Sequence, residues 1–306
     1  MLNTKSNVEA AQALSSSNQS QAQSARKERS RQFRKAFFAR KPVVFAFTIV
    51  VIMVLIALLA PVISPCSPYD QDLNNILAGP SPAHLLGTDG LGRDTLSRIF
   101  YGTQVSLSVG LVSTAIAGTI GITLGLIAGY VGGWLDSLIM RIMDAMMSIP
   151  LIIMALFLGS VLGKGLGNVM LSIGIVMIPG YARLTRGQVM GVKQLDFVTA
   201  AKIGGATKFT NTIKHIFPNS LSPNIVLATM NFGSAILIEA SLSFLGMGIN
   251  PPTASWGAMV SDGYKFLNRD PVLAIVPGIF IMLTVWAFNI VGDALRDALD
   301  PRLRGA

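Results

Sequence analysis

Residues 42–63 read PVVFAFTIVVIMVLIALLAPVI, an apolar run without one charged side chain. About twenty such residues in a helix cross the hydrocarbon core of a bilayer. Lipid offers no partner to backbone N–H and C=O groups, so a spanning segment must be a helix or part of a closed barrel. A cleaved signal peptide has a shorter apolar core and a small-residue cleavage site. This run instead closes on Pro61 and Pro65 and reads as a retained first helix. Five more apolar stretches follow, at about 105–130, 137–162, 168–184, 223–246 and 272–292. None shows the alternating ten-residue segments of a transmembrane barrel. The fold class is an all-α polytopic membrane protein with six transmembrane helices.

Of the 306 residues, 51% are hydrophobic and 13% charged, about half the charge fraction of a soluble domain. One cysteine, Cys66, excludes an internal disulfide and a cysteine-rich metal site. His84 and His215 lie too far apart for a metal motif, so no metal site is expected. The net charge of +9 reads as basic cytoplasmic loops and not as a nucleic-acid surface. Six spans put both ends on one side. Nine Lys/Arg fall in the N-terminal tail, six in residues 183–220, three in the C-terminal tail and one at Arg141. The other face holds five: Arg93, Arg98, Lys164, Lys265 and Arg269. Nineteen against five puts both termini in the cytoplasm and Cys66 outside.

Residues 1–34 read as a basic, disordered cytoplasmic tail, rich in Ser, Gln, Asn and Ala up to about residue 32. Residues 35–104 hold the first helix and a periplasmic segment. Residues 105–292 form a five-helix core with a cytoplasmic loop at 183–220, and 293–306 a second cytoplasmic tail. Two rows of small residues, Gly121/Gly125/Gly129 and Ser106/Gly110/Thr114/Gly118, recur at four-residue spacing and let helices approach closely in lipid. Pro150, Pro179 and Pro277 interrupt three other spans; each removes a hydrogen bond and permits a bend.

The loop holds the polar stretch DFVTAAKIGGATKFTNTIKHIFPN, residues 196–219. Phe197, Ala201, Gly205 and Phe209 fall on one helical face, which another protein can approach closely. Pro218 is expected to end this helical region, since the residue before a proline avoids the helical conformation. Ser222 is then expected to cap the next helix, with Pro223 at its first position.

This loop resembles the segment by which permeases of bacterial ATP-binding-cassette importers grip their ATPase. That pattern is Glu-Ala-Ala, three residues, Gly, nine residues, then an apolar-x-apolar-Pro ending. Thr199, Ala200 and Ala201 match the triplet, Gly205 the glycine, and His215 to Pro218 the ending, followed by Asn219. Asp196 and Phe197 open the stretch. Thr199 replaces the usual glutamate, so any role of that carboxylate is missing here. His215 and Phe217 also depart from the commonest residues.

Other segments are similar to the dipeptide, oligopeptide and nickel permease subfamily, over about residues 35–305. GTDGLGRDTLSRIFYG (87–102), with Gly87, Asp89, Gly92, Arg93 and Asp94, resembles its hallmark before the second span. EASLSFLGMG (239–248) with PPTASWGAM (251–259), and FNIVGDALRDALDPRLRG (288–305), resemble its fifth span with the following loop and its ending. The resemblance implies a type I ABC importer permease bundle, here the second, C-type permease. It implies as partners a homologous permease, two cytoplasmic ATPase subunits and an extracytoplasmic solute-binding protein, in a bacterial inner membrane. ATP and Mg would be used by the ATPases, with no cofactor bound by this chain. Dipeptides, oligopeptides, glutathione-like compounds and nickel chelates all stay open as solutes.

Physical readings of the same residues run alongside. Three glycines and Asp89 make a turn; a short helix follows, with Asp94 and Arg98 paired at i,i+4. It is expected to lie flat on the outer surface before the chain turns inward. Trp256 either anchors at the interface or packs on the bundle. Glu239, inside the fifth span beside Ser241, must face protein or water. It either lines or gates the translocation path, or ties two helices together through backbone or serine hydrogen bonds. Asp136, Arg141 and Asp144 form a boundary group, with Arg141 and Asp144 paired, or else a polar latch against the neighbouring loop.

The nearest approach to a Walker A motif, GSVLGKG at 159–165, has the wrong spacing and lacks the final Ser/Thr. Energy is therefore expected from a separate ATPase. A membrane enzyme would need a convergent catalytic set, and the sequence offers none. The alternative transporter is a self-contained secondary carrier driven by an ion gradient, which usually has more spans and repeated halves.

Overall fold

The computed structural model describes Arg31, Phe37, Phe38 and residues 40–299. The disordered tail expected over residues 1–34 lies, Arg31 apart, outside the described residues, as does the chain beyond Leu299. The described elements are helical: α1 (Lys41–Ile63), α2 (Thr95–Val131), α3 (Gly133–Met147), α4 (Leu151–Leu162) and α5 (Leu166–Val192). After them come α6 (Asp196–Ile203), α7 (Lys208–Asn211), a π-helical turn (Thr212–Ile216), α8 (Phe217–Ser220), α9 (Ser222–Phe244), α10 (Trp256–Tyr264) and α11 (Val272–Leu299). Helices α1, α2, α5, α9 and α11 are each long and apolar enough to cross a membrane.

The third expected span is not one helix. α3 and α4 meet at an angle of 94° around Ser148–Pro150. Pro150 has no N–H to give the preceding turn, and its ring collides with a continuing helix. With this bent pair taken as one span the bundle has six. The other two prolines act differently: Pro179 and Pro277 lie inside unbroken α5 and α11. α11 also runs seven residues past the expected end at 292, to Leu299.

The second span starts earlier than expected. Asp94 caps α2, its carboxylate accepting from Ser97 N at 2.8 Å, and nothing breaks the helix until Gly132. At 37 residues α2 is about 55 Å long, so it extends beyond the hydrocarbon core. The separate surface helix expected near residues 94–100 is therefore the first turns of α2, and its Ile99 is fully buried.

Close packing of α2 on α5 forms the centre. A methyl group on Gly121 would stand 2.7 Å from Ile178 O; one on Gly125, 3.0 Å from Arg186 N; one on Gly129, 2.9 Å from Arg186 O. Backbone cannot yield as a side chain can, so this glycine row sets how closely the helices approach. The second row faces elsewhere: Gly110 lies under the Phe232 ring, and Ser106 Oγ accepts from Trp256 N at 3.2 Å. α1 lies against α2 and α11, burying Val43, Ala46, Ile49 and Met53 and leaving Leu58 and Val62 outward. An apolar exterior of this kind is what lipid solvates.

Candidate functional site

The stretch from α6 to α8 forms a short helical arm beneath α5. Its anchors are Val198 and Ile216, both fully buried against Val189 and Val192, with Leu126 and Tyr130 at the edge. Asn211, also buried, donates from Nδ2 to Val198 O at 3.3 Å. Lys193 Nζ donates to Tyr130 O at 2.8 Å and stands 5.3 Å above that ring, fixing the root of the arm to the end of α2.

What the arm leaves outside is apolar. Ile203 is 84% exposed, Phe209 75% and Phe197 42%, with Asp196, Thr199, Ala200 and Gly205 exposed around them. Ala201 is half-buried. The His215 ring lies 6.4 Å from that of Phe197, so the two ends of the segment meet in space. Pro218 and Asn219 are exposed at the exit, with Asn219 Nδ2 donating to His215 O at 2.7 Å.

Three expectations for this segment are corrected. Phe197 and Phe209 do not share one helical face, because α6 stops at Gly204 and Gly205 turns the chain at φ +83°. Thr207 then caps α7, accepting from Thr210 N. Pro218 does not end the helical region; it sits in the first turn of α8, where its missing N–H costs little. The preceding π-helical turn, closed by Phe217 N to Thr212 O, is wider and makes room for the proline ring. Ser222 is accordingly not a cap: Leu221 before it is already helical and α8 passes directly into α9.

At the boundary, the expected pairing of Arg141 with Asp144 is absent. Asp136 takes Arg186 through two bonds, Nε to Oδ1 at 2.5 Å and Nη2 to Oδ2 at 2.7 Å. Asp144 takes Arg183 at 2.5 Å. Arg141 is exposed and joins neither pair. Both acceptors lie on α3 and both donors on the last turns of α5, residues that the sequence assigned to the loop. The arrangement is the latch alternative, with α5 extended into it.

The segment between α1 and α2 is equally specific. Gly87 and Gly92 turn the chain at φ +73° and +72°. Asp89 accepts from Leu91 N and Arg93 N with one oxygen, and holds Arg93 Nε at 2.7 Å and Arg98 Nε at 3.4 Å with the other. Arg98 therefore does not pair with Asp94. Asp94 is occupied by Ser97 N and by His84 Nδ1 at 2.9 Å, which leaves Arg98 to Asp89 and to the carbonyls of Pro68 and Pro252. A cavity of about 310 Å³ opens between Asp89, Arg93, Arg98, Pro251, Met259 and Phe266. Nearby, the Asn75 amide and the Asn74 N–H hold the Asp72 carboxyl below the usual carboxylate range. Burial, then Asp94 and Asp70, push the Cys66 thiol up.

Glu239 is fully buried on α9. Its Oε1 accepts from Ser243 Oγ at 2.8 Å and from Ser255 Oγ at 2.9 Å. Ser255 is also the cap of α10, so the carboxylate ties α9 to that short helix. Ser241 bonds back to Leu237 O on its own helix. Trp256 is the other tie. It is fully buried and donates from Nε1 to Ile99 O at 3.3 Å, so it packs on the bundle. Among the members of these groups that sequence reasoning did not single out are Arg183, Arg186, Lys193, Val198, Ile203 and Asn211. For Ile203 the signal was an apolar residue directly before a Gly-Gly break.

Residues 121–305 match the family model described as binding-protein-dependent transport system inner membrane component. Residues 29–80 match the N-terminal TM domain of oligopeptide transport permease C. The glutathione transport system permease protein GsiD of Escherichia coli O1:K1 / APEC is 41% identical over 276 residues, 90% of each chain. That of Pectobacterium atrosepticum is 42% identical over 275 residues, covering 90% of this chain and 91% of the relative. In fold, the chain is similar to the inward-facing MetNI methionine ABC transporter, with a TM-score of 0.56 at 18% identity, over 67% of this chain and 98% of that one. These relationships favour an importer permease over a carrier driven by an ion gradient. The chain belongs to the inner membrane component family of binding-protein-dependent transport systems, the multi-pass permease subunits of ABC importers.

Proposed function

We propose that this chain is one of two homologous permeases that pass peptides, or a peptide-like solute such as glutathione, into the cytoplasm by alternating access. Two cytoplasmic ATPase subunits use ATP and Mg to drive it, a solute-binding protein delivers the cargo from outside, and the chain itself binds no cofactor. Both termini lie in the cytoplasm, as the basic residues indicate. The observation that carries this reading is the arm at residues 196–219, apolar outside and firmly rooted inside. A monomer gains nothing from exposing Ile203, Phe209 and Phe197 together, whereas a cleft on an ATPase buries them. Root residues Val198, Ile216 and Asn211 make the arm a lever: displacement at its tip is passed to α5 and, through the glycine row, to α2. ATP binding then shifts a two-state equilibrium of the bundle. The boundary pairs of α3 with α5 brace the same helix.

The peptide reading rests on the relatives named for glutathione transport and on the oligopeptide permease match, since glutathione is itself a tripeptide. The test is gentle purification of the tagged chain from its native membrane, with mass spectrometry of what accompanies it. Recovery of ATPase subunits and a second permease supports the proposal, and the ligand of an accompanying binding protein names the solute. A chain that emerges alone, reproducibly and in several mild detergents, contradicts it.

A further inference from the structure

The segment between α1 and α2 brings together three side chains that no motif links. Cys66 follows α1, His84 lies in the turn before Gly87, and Asp94 caps α2. One donor atom from each lies within 4.8 Å of the other two. We propose that Cys66, His84 and Asp94 form a binding site for a borderline divalent cation, zinc being the best fit.

The donor set supports that identity. A thiolate, an imidazole and a carboxylate are the three ligand types zinc takes, whereas magnesium and calcium call for oxygen throughout. The distances are close to those required. Zinc bonds of about 2.0–2.1 Å to nitrogen and oxygen place tetrahedral N and O ligands about 3.3 Å apart. His84 Nδ1 and Asp94 Oδ1 stand 2.9 Å apart. A thiolate sulfur at about 2.3 Å from zinc would sit about 3.6 Å from either ligand. Closing that gap from 4.8 Å takes a shift of about 1 Å, within reach of one side-chain rotation at Cys66.

The ligands are also held from behind. Ser97 N donates to the second Asp94 oxygen at 2.8 Å, and Ser97 Oγ accepts from Cys66 N at 3.1 Å. One serine thus orients two ligands, as outer-shell partners do in metal centres. Asp94 is almost completely buried, while Cys66 and His84 are half-buried, so the site has an inner wall and an open side for a solvent ligand. Zinc entering with loss of the Cys66 proton to solvent, and with the His84 ring proton moved from Nδ1 to Nε2, gives a neutral set of one dication, one thiolate, one neutral imidazole and one carboxylate. Occupied, the site would staple the chain after α1 to the start of α2.

Cobalt(II) is the probe, added to the purified full-length chain or its intact complex. The expected result is one cobalt per chain, a near-ultraviolet thiolate-to-cobalt charge-transfer band, and displacement by zinc. Cys66→Ser, which spares the Asp94 cap, is expected to abolish the band, and His84→Ala to weaken binding by about tenfold or more. If Cys66→Ser assembles poorly, alkylating the wild-type thiol must remove the band equally. No band in the wild type at saturating cobalt, or one undiminished in both Cys66-blocked forms, overturns the proposal.

Discussion

Arg186, near the end of α5, grips Asp136 on α3 through two parallel hydrogen bonds of 2.5 and 2.7 Å. The pair is partly exposed, so its contribution is about 1 kcal/mol and no more. Its value is geometric: a guanidinium fork fixes direction as well as distance. Asp136→Ala and Arg186→Ala are each expected to lower the thermal stability of the purified chain slightly. The double variant should be no worse than the poorer single one. A double-mutant cycle on melting temperatures measures that coupling, and fully additive losses would dismiss the latch.

Gly125 has backbone of α5 directly across from it. Gly125→Leu is expected to cost about 3 kcal/mol or to prevent assembly, because overpacking displaces a helix rather than a side chain. Gly180 in the same α5 has open space where a Cβ would stand, and Gly180→Ala should be neutral or slightly stabilising. Melting curves of the two variants in one detergent separate specific packing from general glycine loss.

Asp89 serves two arginines that are almost completely buried. Asp89→Ala leaves both without their carboxylate, and an unpaired buried charge costs about 3 kcal/mol or more. Limited proteolysis of the segment between α1 and α2, residues 64–94, is expected to become faster in this variant while the core spans stay protected. Equal cleavage of variant and wild type would show that the arginines hold without it.

Glu239 accepts two serine hydroxyls, and a glutamine oxygen can accept both. Glu239→Gln is therefore expected to assemble and transport normally. Glu239→Ala strands Ser243 and Ser255 in the interior and is expected to cost about 2 kcal/mol or more. Uptake lost in Glu239→Gln with assembly intact would instead assign the carboxylate to the translocation path.

Helix existence was legible because lipid admits little else. Apolar length marked α1, α9 and α11, and four-residue glycine spacing marked the α2 face that meets α5. Partners were less legible. Asp144 has Arg141 one turn away in sequence, yet pairs with Arg183, because α5 is longer than its apolar stretch and carries two arginines to α3. Asp94 and Arg98 have ideal helical spacing, but Asp94 is a cap whose oxygens are already engaged by Ser97 and His84. Local spacing predicts a pair only when nothing more distant competes. Proline was ambiguous for the same reason: Pro150 breaks a span, Pro179 does not, and the surrounding packing decides. The Cys66, His84 and Asp94 cluster left no sequence trace, since its members are 18 and 10 residues apart and belong to different turns.

The arm at residues 196–219 gives a graded prediction. Asp196 is one exposed charge at its edge, so Asp196→Lys should lower uptake modestly. Gly205 is different, because its positive φ excludes most side chains and the space beside it is where the ATPase is proposed to seat. The most direct measurement is uptake and ATP hydrolysis, side by side, in proteoliposomes holding the complete importer with Gly205→Trp. Uptake lost from a complex whose bundle is still folded, with hydrolysis no longer responding to loaded binding protein, is the predicted result. Full ATPase binding and full uptake in that variant would contradict the account.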